Sequence, residues 1–173
     1  MKLKLYLDFD GVILDTAEIA DKKMIDLNLT EIDEIDNYYK NIDWYLLMKE
    51  AKQINNSLAN IKKLIDSNLY DVEILTHVNS EVERKLKEEY INKYFPKLKI
   101  ISVSKEIEKC DAVIPENSIL VDDYIENLHK WQDKGGIPIK FSDKGKSCKY
   151  KSISNLSKLI DLYDELLQAV ATK

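Results

Sequence analysis

The chain has 173 residues, of which 45% are hydrophobic and 33% are charged, a balance typical of one soluble globular domain. Its four glycines and three prolines exclude a collagen-like or low-complexity protein, and no apolar run approaches the roughly 20 residues that span a bilayer. With 31 acidic and 26 basic residues, the net charge of −5 would repel duplex nucleic acid. We therefore expect neither a membrane nor a nucleic-acid duplex among its partners.

The start of the chain and its cysteines indicate a compartment. Residues 1–7 are too short a stretch, and too soon followed by Asp8 and Asp10, to be a signal peptide, so we expect a cytoplasmic protein. Cys110 and Cys148 lack the spacing of a metal-binding pair, and we expect ordinary reduced thiols. The sequence does not indicate an oligomeric state.

Five short segments rich in apolar, β-branched or aromatic residues are predicted to be strands, because polar or turn residues bound each of them. In chain order they are residues 4–9, 72–76, 98–103, 118–121 and 137–141. Helical periodicity fills most of the gaps. This alternation predicts a three-layer, Rossmann-like α/β protein with a parallel sheet. In such sheets ligands bind beyond the carboxyl ends of the strands.

The gap between the first two predicted strands, residues 11–71, is too long for a simple crossover, and its pattern is helical throughout. Helix starts are predicted after Thr30, as an N-cap, and at Ser57. We predict that about residues 16–67 form a small helical cap over the site, inserted in a core made of 1–15 and 68–173.

Later segments are predicted to be amphipathic helices that pack on the sheet. Residues 81–94 place Val82, Leu86 and Tyr90 on one apolar face. A last helix is predicted over residues 154–171.

The first strand ends in Asp8-Phe9-Asp10-Gly11, and the period of two places both carboxylates on the same side of the chain. Two carboxylates at one strand end repel each other unless a cation lies between them. A hard divalent cation such as Mg²⁺ prefers such oxygen ligands. Gly11 allows the sharp turn that follows.

Two further strand ends carry polar residues suited to the same site. The second strand ends at Thr76, which offers a hydroxyl to an anion, and the fourth ends in the acidic pair Asp122 and Asp123. Lys105 and Lys109 precede the fourth strand, and either one is spaced to bring an ammonium to that edge. These residues together predict a site for phosphoryl transfer.

In this order, the Asp-x-Asp-Gly strand end, the threonine strand end, the lysine and the acidic pair resemble the haloacid dehalogenase (HAD) superfamily of phosphatases. The match runs from Asp8 to about Phe141, and the helical insertion lies where that family inserts its cap. Within the superfamily, the region after the fourth strand is similar to the 5′-nucleotidase branch, which includes the 5′(3′)-deoxyribonucleotidases. That similarity is carried by Asp122, Asp123, Tyr124, Asn127, Trp131, Gly135 and Gly136.

The resemblance implies a phosphatase with a covalent intermediate. Asp8 is the implied nucleophile that becomes an aspartyl phosphate, and Asp10 is the implied acid toward the leaving group and later the base for water. Dehalogenating members of the family lack an acid at the position of Asp10. Asp15 is expected to support the turn after the nucleophile.

The resemblance also implies a metal site and a phosphate site. Mg²⁺ is expected on the Asp8 carboxylate, the Asp10 carbonyl and Asp122, with Asp123 behind them. Thr76 and a lysine are expected to bind the phosphoryl group. Lys109 fits the spacing of that lysine better than Lys105, which stays an alternative.

The implied substrate is a small phosphomonoester, first of all a (deoxy)nucleoside 5′-monophosphate. The alternatives are another small phosphorylated metabolite, a nucleic-acid end, or a catalytically idle binding domain that keeps the fold. Four aromatic residues of the cap either stack on a base or pack the cap onto the core. They are Tyr38, Tyr39, Trp44 and Tyr45. We expect His77 to be an ordinary polar residue at a strand end.

Overall fold

A computed structural model of the chain describes residues 2–142 and 149–172. Its strands form one parallel sheet in the order β3-β2-β1-β4-β5-β6. They are β1 (Leu3–Leu7), β2 (Tyr70–Val78), β3 (Ile100–Ser104), β4 (Ser118–Asp122), β5 (Ile137–Phe141) and β6 (Ser152–Ile153). The predicted α/β class is confirmed. The sequence missed β6, whose two residues are too few to show a strand pattern.

Helices connect the strands and cover both faces of the sheet. They are α1 (Thr16–Asp26), α2 (Ile32–Lys40), α3 (Trp44–Glu50), α4 (Ser57–Ser67), α5 (Glu81–Tyr94), α6 (Lys109–Ala112), α7 (Ile125–Asp133), α8 (Lys158–Asp161) and α9 (Tyr163–Ala171). Alternate side chains of β1 enter different apolar clusters: Leu5 and Leu7 pack on one face, and Tyr6 packs on the other. The sheet is therefore the middle of three layers, as the period of two requires.

The sheet order brings the predicted site residues to one edge. The strand order reverses at β1, which lies between β2 and β4, and such a reversal opens a crevice at the carboxyl ends of the strands. Leu7 pairs in register with Val121, and the Asp8 amide donates to the Val121 carbonyl at 2.9 Å. Asp8 and Asp122 are consequently level with each other where the two strands end.

The helices between β1 and β2 divide into two packing groups. Helix α4 contributes Leu58, Ile61 and Leu64 to the main core beneath the sheet. Helices α1 and α3 instead share a small cluster that contains Ala20, Trp44 and Leu47. We therefore propose that the cap comprises about residues 16–52, a shorter segment than the 16–67 expected from the sequence.

The base of this cap is fastened by paired backbone. The Asp15 amide donates to the Lys52 carbonyl at 3.1 Å, and the Lys52 amide donates to Asp15 Oδ1 at 2.6 Å. Leu14 and Gln53 form an isolated antiparallel bridge beside them. Asp15 thus holds the two ends of the cap together.

Several helix predictions need correction. In α5 the predicted face is correct only in part, because Leu86 and Tyr90 pack against core clusters but Val82 is 43% exposed. The residues that α5 buries fully are Glu83, Lys87 and Ile91. Charged residues can occupy a buried face where they satisfy one another, and apolar periodicity does not detect them.

Other helix ends also differ from prediction. Helix α2 begins at Ile32 with Glu31, not Thr30, as its N-cap. The predicted helix over 154–171 begins late and is divided at Leu162 into α8 and α9. Helix α4 begins at Ser57, as predicted.

Two further predictions concern thiols and membranes. Cys110 is a buried free thiol, and Cys148 lies outside the described residues. Within residues 2–142 and 149–172, no helix has the length and apolar character needed to cross a bilayer.

Candidate active site

The first part of the site is the Lys109 cluster, which we define as Lys109, Asp8, Asp122 and Asn127. Lys109 Nζ lies 2.8 Å from Asp8 Oδ1 and 2.7 Å from Asp122 Oδ2. The Asn127 amide donates to Asp122 Oδ2 at 2.9 Å. All four side chains are buried, so one ammonium joins the carboxylates of two adjacent strand ends.

Electrostatics in this cluster follow from burial. Burial disfavours the charged Asp8 carboxylate and raises its pKa to about 7, although the Lys109 ammonium opposes the rise. Burial also disfavours the Lys109 ammonium, but Asp122 and Asp8 outweigh it and raise the pKa of Lys109 above its ordinary range. Lys109 is therefore charged, and its ammonium lies between the carboxylates of Asp8 and Asp122.

A third carboxylate, Asp123, completes a set suited to a cation. Oxygens of Asp8, Asp122 and Asp123 all lie within 4.8 Å of one another. Burial first, and then the charges of Asp122 and Asp8, raise the pKa of Asp123 to about 8. Gly11 has a φ of +69°, and any Cβ added there would overlap the Asp123 carboxylate. Glycine at this turn therefore permits the close approach of Asp123.

The second part of the site is the Lys87 cluster, which we define as Lys87, Asp10, Thr76 and Glu83. Lys87 is fully buried on α5. Its ammonium donates to Asp10 Oδ2 at 2.5 Å, to Glu83 Oε1 at 2.7 Å, to the His77 carbonyl at 2.9 Å and to Thr76 Oγ1 at 3.1 Å. Asp10 and Thr76, two candidate residues from the sequence, are thus joined by a lysine that sequence reasoning missed.

The first turn of α5 fixes this lysine. Ser80 Oγ accepts from the Glu83 amide at 3.1 Å, and Glu83 Oε2 accepts from the Asn79 amide at 2.7 Å. This arrangement is a variant of the capping box, in which Glu83 accepts from the residue before the N-cap, and it leaves the other Glu83 oxygen for Lys87. The signal in the sequence is Ser80-x-x-Glu83 with Lys87 four residues later, a spacing that is also common on solvated helix faces.

A cavity of about 420 Å³ opens between the two clusters and the cap. Its walls combine Asp8, Asp10 and Asp123 with residues from the cap and from nearby loops. The cap contributes Thr16, Ala20, Tyr39, Ile42 and Trp44, and the rest of the chain contributes His77, Asn79, Lys105 and Tyr124. Lys105 thus lies in the cavity wall beside the Tyr124 ring, whereas Lys109 lies between the carboxylates.

The cap aromatics divide into two kinds. Tyr39 and Trp44 line the cavity, and the Trp44 ring centroid lies 5.0 Å from Lys87 Nζ. The Tyr38 hydroxyl donates to the Ala20 carbonyl at 2.9 Å, so Tyr38 joins α2 to α1. Tyr45 is 69% exposed. Trp44 and Tyr39 are therefore the aromatic side chains that face the space above the carboxylates.

His77 connects β2 to the loop that precedes α6. Its Nε2 lies 2.9 Å from the Ile107 carbonyl, which only accepts, so Nε2 carries a proton. Burial, reinforced by the Lys109 charge, lowers the pKa of His77 to about 4. A neutral imidazole thus binds the loop that leads to Lys109 and α6, in keeping with the expected role as a polar residue at a strand end.

Comparisons with known proteins place the fold. No protein-family model matches the sequence, and no curated protein matches it. A hydrolase from Pseudomonas syringae superimposes with a TM-score of 0.63 at 13% identity, over 94% of this chain and 98% of that one. For a HAD-like family hydrolase from Xanthomonas campestris the TM-score is 0.65 at 11% identity, over 99% and 95%.

A third solved structure is a HAD phosphatase from Thermococcus onnurineus. Its TM-score is 0.58 at 15% identity, over 94% of this chain and 97% of that one. At these identities the likeness concerns the architecture. The six-stranded parallel sheet and its helices therefore have the fold of the HAD-type hydrolases.

Proposed function

We propose that the protein is a Mg²⁺-dependent phosphomonoesterase that works through an aspartyl phosphate on Asp8. One observation carries the proposal: the carboxylates of buried Asp8 and Asp122 and of partly buried Asp123, from two strand ends, converge within 4.8 Å beneath a cavity, with Lys109 between the first two. A phosphatase among the proteins of the same fold supports this chemistry.

A divalent cation fits the residues present. The carboxylates of Asp8, Asp122 and Asp123 outnumber the two ammonium groups beside them, those of Lys109 and Lys140. Burial also raises the pKa of Asp8 and of Asp123, so an additional cation would be favourable there. These side chains, with the Asp10 carbonyl, would hold Mg²⁺, which when bound offsets the charge of the phosphoryl oxygens.

Asp8 is oriented for attack. Its Oδ1 accepts from the Phe9 amide at 2.7 Å and from Lys109 at 2.8 Å, so we assign Oδ2 as the nucleophile. Oδ2 forms a bond to phosphorus while the bond from phosphorus to the leaving oxygen breaks. The Thr76 hydroxyl and the Lys109 ammonium are the donors that we assign to the phosphoryl oxygens.

Asp10 handles the protons of both steps. In the first step the protonated form of Asp10 gives its proton to the leaving oxygen, which leaves the carboxylate. It then takes one from the water that attacks phosphorus, which frees inorganic phosphate and restores the Asp8 carboxylate. The Asp10 side chain lines the cavity, where a leaving group would lie.

For the substrate we propose a (deoxy)nucleoside 5′-monophosphate. The cavity of about 420 Å³ has the size of a small-molecule site. Trp44 and Tyr39 offer aromatic surface on its cap side, and stacking of one base on an aromatic ring contributes about 1–3 kcal/mol.

The test is phosphate release from a panel of nucleoside 5′- and 3′-monophosphates, sugar phosphates and an aryl phosphate, with Mg²⁺ and with EDTA. We expect Mg²⁺-dependent release that favours 5′-nucleotides. Asp8→Asn should lower it at least about 10³-fold, because the variant lacks the nucleophile. Asp66→Asn, an exposed acid on α4, is the control.

The outcomes separate the parts of the proposal. Release from other esters but not from nucleotides would overturn the substrate and keep the chemistry. Release that survives in Asp8→Asn would overturn the covalent mechanism. Silence across the panel would favour an idle domain of the same fold.

A further inference from the structure

We propose that Lys87 is a positioning residue that holds the Asp10 carboxylate toward the leaving group, an inference that rests on the proposed phosphatase function. Lys87 is not one of the site residues expected from the sequence. It lies on α5 and reaches the site through its contact with Asp10.

The contacts of Lys87 assign it to Asp10 rather than to the substrate. An ammonium has three N–H groups, and four protein oxygens already lie within 3.1 Å of Nζ. The side chain is fully buried. A phosphate oxygen would therefore have to displace a protein partner, whereas the bond to Asp10 is in place.

Asp10 is held from two sides. Lys87 donates to its Oδ2 at 2.5 Å, and the Thr16 hydroxyl donates to its Oδ1 at 2.6 Å. Because the two donors come from α5 and from the start of the cap, they fix the plane of the carboxylate. Proton transfer requires this precision, since the acid must lie within hydrogen-bond reach of the leaving oxygen.

Lys87 is itself rigidly placed. Glu83, whose other oxygen accepts from the Asn79 amide, anchors it to the first turn of α5. The Phe9 and Trp44 ring centroids lie 5.4 Å and 5.0 Å from its Nζ. Phe9 belongs to the core and Trp44 to the cap, so both parts of the molecule enclose the ammonium.

Stability alone is a poor reason for this arrangement. Burying an ion pair costs desolvation energy, and well-packed apolar residues often stabilise a helix–sheet contact as well. The feature that apolar residues cannot supply is a fixed donor to Asp10. The geometry therefore favours a role in orienting the acid.

The test compares two phosphate esters in Lys87→Met, which keeps the side chain long and removes the charge. An alkyl phosphate needs a proton on its leaving oxygen, whereas a nitrophenyl phosphate leaves without one. The quantity measured is kcat/KM, because it includes only steps up to departure of the leaving group. Lys85→Met, on the exposed side of the same helix, is the control.

We expect kcat/KM of Lys87→Met to fall about 10²-fold for the alkyl ester, part of the usual contribution of general acid catalysis, and only about threefold for the aryl ester. Asp10→Asn should show the same selectivity more strongly. The double variant Lys87→Met/Glu83→Gln also removes the buried Glu83 carboxylate, which would otherwise lose its ion-pair partner. It provides the test if the single variant does not fold.

Each outcome decides a different point. Equal losses on both esters in a folded Lys87 variant, with Asp10→Asn still selective, would overturn the role of Lys87 alone. A wild-type protein that hydrolyses neither ester would overturn the proposed function and this inference with it.

Discussion

The site contains two buried lysines that resemble each other and differ in one respect. Lys109 and Lys87 are both buried, and each joins two carboxylates from different parts of the chain. The Lys109 cluster has a third carboxylate, Asp123, within reach, so negative charge exceeds positive charge there. The Lys87 cluster is closed by neutral donors, namely Thr16 on Asp10 and the Asn79 amide on Glu83.

This difference separates two tasks. A surplus of buried carboxylates is a place for a cation and for an incoming phosphoryl group. A saturated ion pair has no capacity for a ligand, but it fixes the side chains it touches. We therefore propose that the Lys109 cluster, together with the Thr76 hydroxyl, takes the metal and the phosphoryl group, and that Lys87 sets the geometry of proton transfer by Asp10.

Among the variants that test this difference between the two clusters, Lys109→Met is expected to have the largest effect. Removing this ammonium leaves Asp8 and Asp122 unpaired, which should destabilise the fold by about 3–5 kcal/mol. Without the donor, kcat/KM should fall about 10²- to 10³-fold on alkyl and aryl esters alike. Urea unfolding and steady-state kinetics measure both, with Lys134→Met, an exposed lysine, as the control. A loss confined to the alkyl ester would contradict the division of tasks.

A smaller effect concerns metal binding and pH. In the folded protein the pKa of Asp8 is about 7 and that of Asp123 about 8, both above the ordinary value of about 4. Between about pH 4 and pH 8, the folded state therefore binds more protons than the unfolded state. The stability that these two groups contribute is therefore present below about pH 4 and is lost as the pH rises through 7 and 8.

Because Mg²⁺ competes with these protons, it should raise Tm more at about pH 8 than at about pH 6. At 100 times its Kd the gain is about 2.7 kcal/mol, or roughly 5–10 °C. Thermal melting with Mg²⁺ or EDTA measures it. Asp122→Asn should reduce the gain and Lys87→Met should keep it. An equal gain at both pH values would contradict the account.

The smallest expected effect concerns the contact of His77 with Ile107, in the loop before α6. The folded pKa of His77, about 4, lies below the ordinary 6.5, so the unfolded chain binds a proton that the folded chain does not. The stability from the bond to Ile107 is therefore present above pH 6.5 and is lost as the pH falls toward 4.

The Tm difference between wild type and His77→Gln should accordingly shrink between about pH 7 and pH 5, by about 2–4 °C, the shift that 1 kcal/mol gives in a domain of this size. Comparing the two proteins cancels the carboxylates that titrate in both. A difference that stays constant or widens on acidification would mean that His77 is not neutral in the fold.

The sequence predicts the sheet and the strand-end residues well, for a physical reason. In a parallel sheet the carboxyl ends of neighbouring strands share an edge, so Asp8, Thr76 and Asp122 converge once the strands are recognised. The predicted end of the second strand at Thr76 was wrong, since β2 continues to Val78. The geometry also separates the two candidate lysines, since Lys109 contacts Asp8 and Lys105 lies in the cavity wall.

The Lys87 cluster could not be predicted from the strand ends, because Lys87 and Glu83 lie on a helix. Apolar periodicity assigns a helix face by its hydrophobic residues, so Glu83 and Lys87 resemble a solvated pair until Asp10 is placed opposite them. The extent of the cap was equally hidden, because α4 and the cap helices have similar patterns and only packing assigns α4 to the core. Such contacts across long chain separations leave little trace in local sequence.

The most direct test of the central claim is to trap phosphate on Asp8. In Asp10→Asn the base for the second step is missing, so mixing with a nitrophenyl phosphate and Mg²⁺ and quenching in acid should leave a phosphoryl group on the protein. Peptide mass spectrometry should place it on Asp8, and it should be absent from Asp8→Asn. A phosphoryl group on another residue, or one that forms equally in Asp8→Asn, would contradict the claim that Asp8 is the nucleophile.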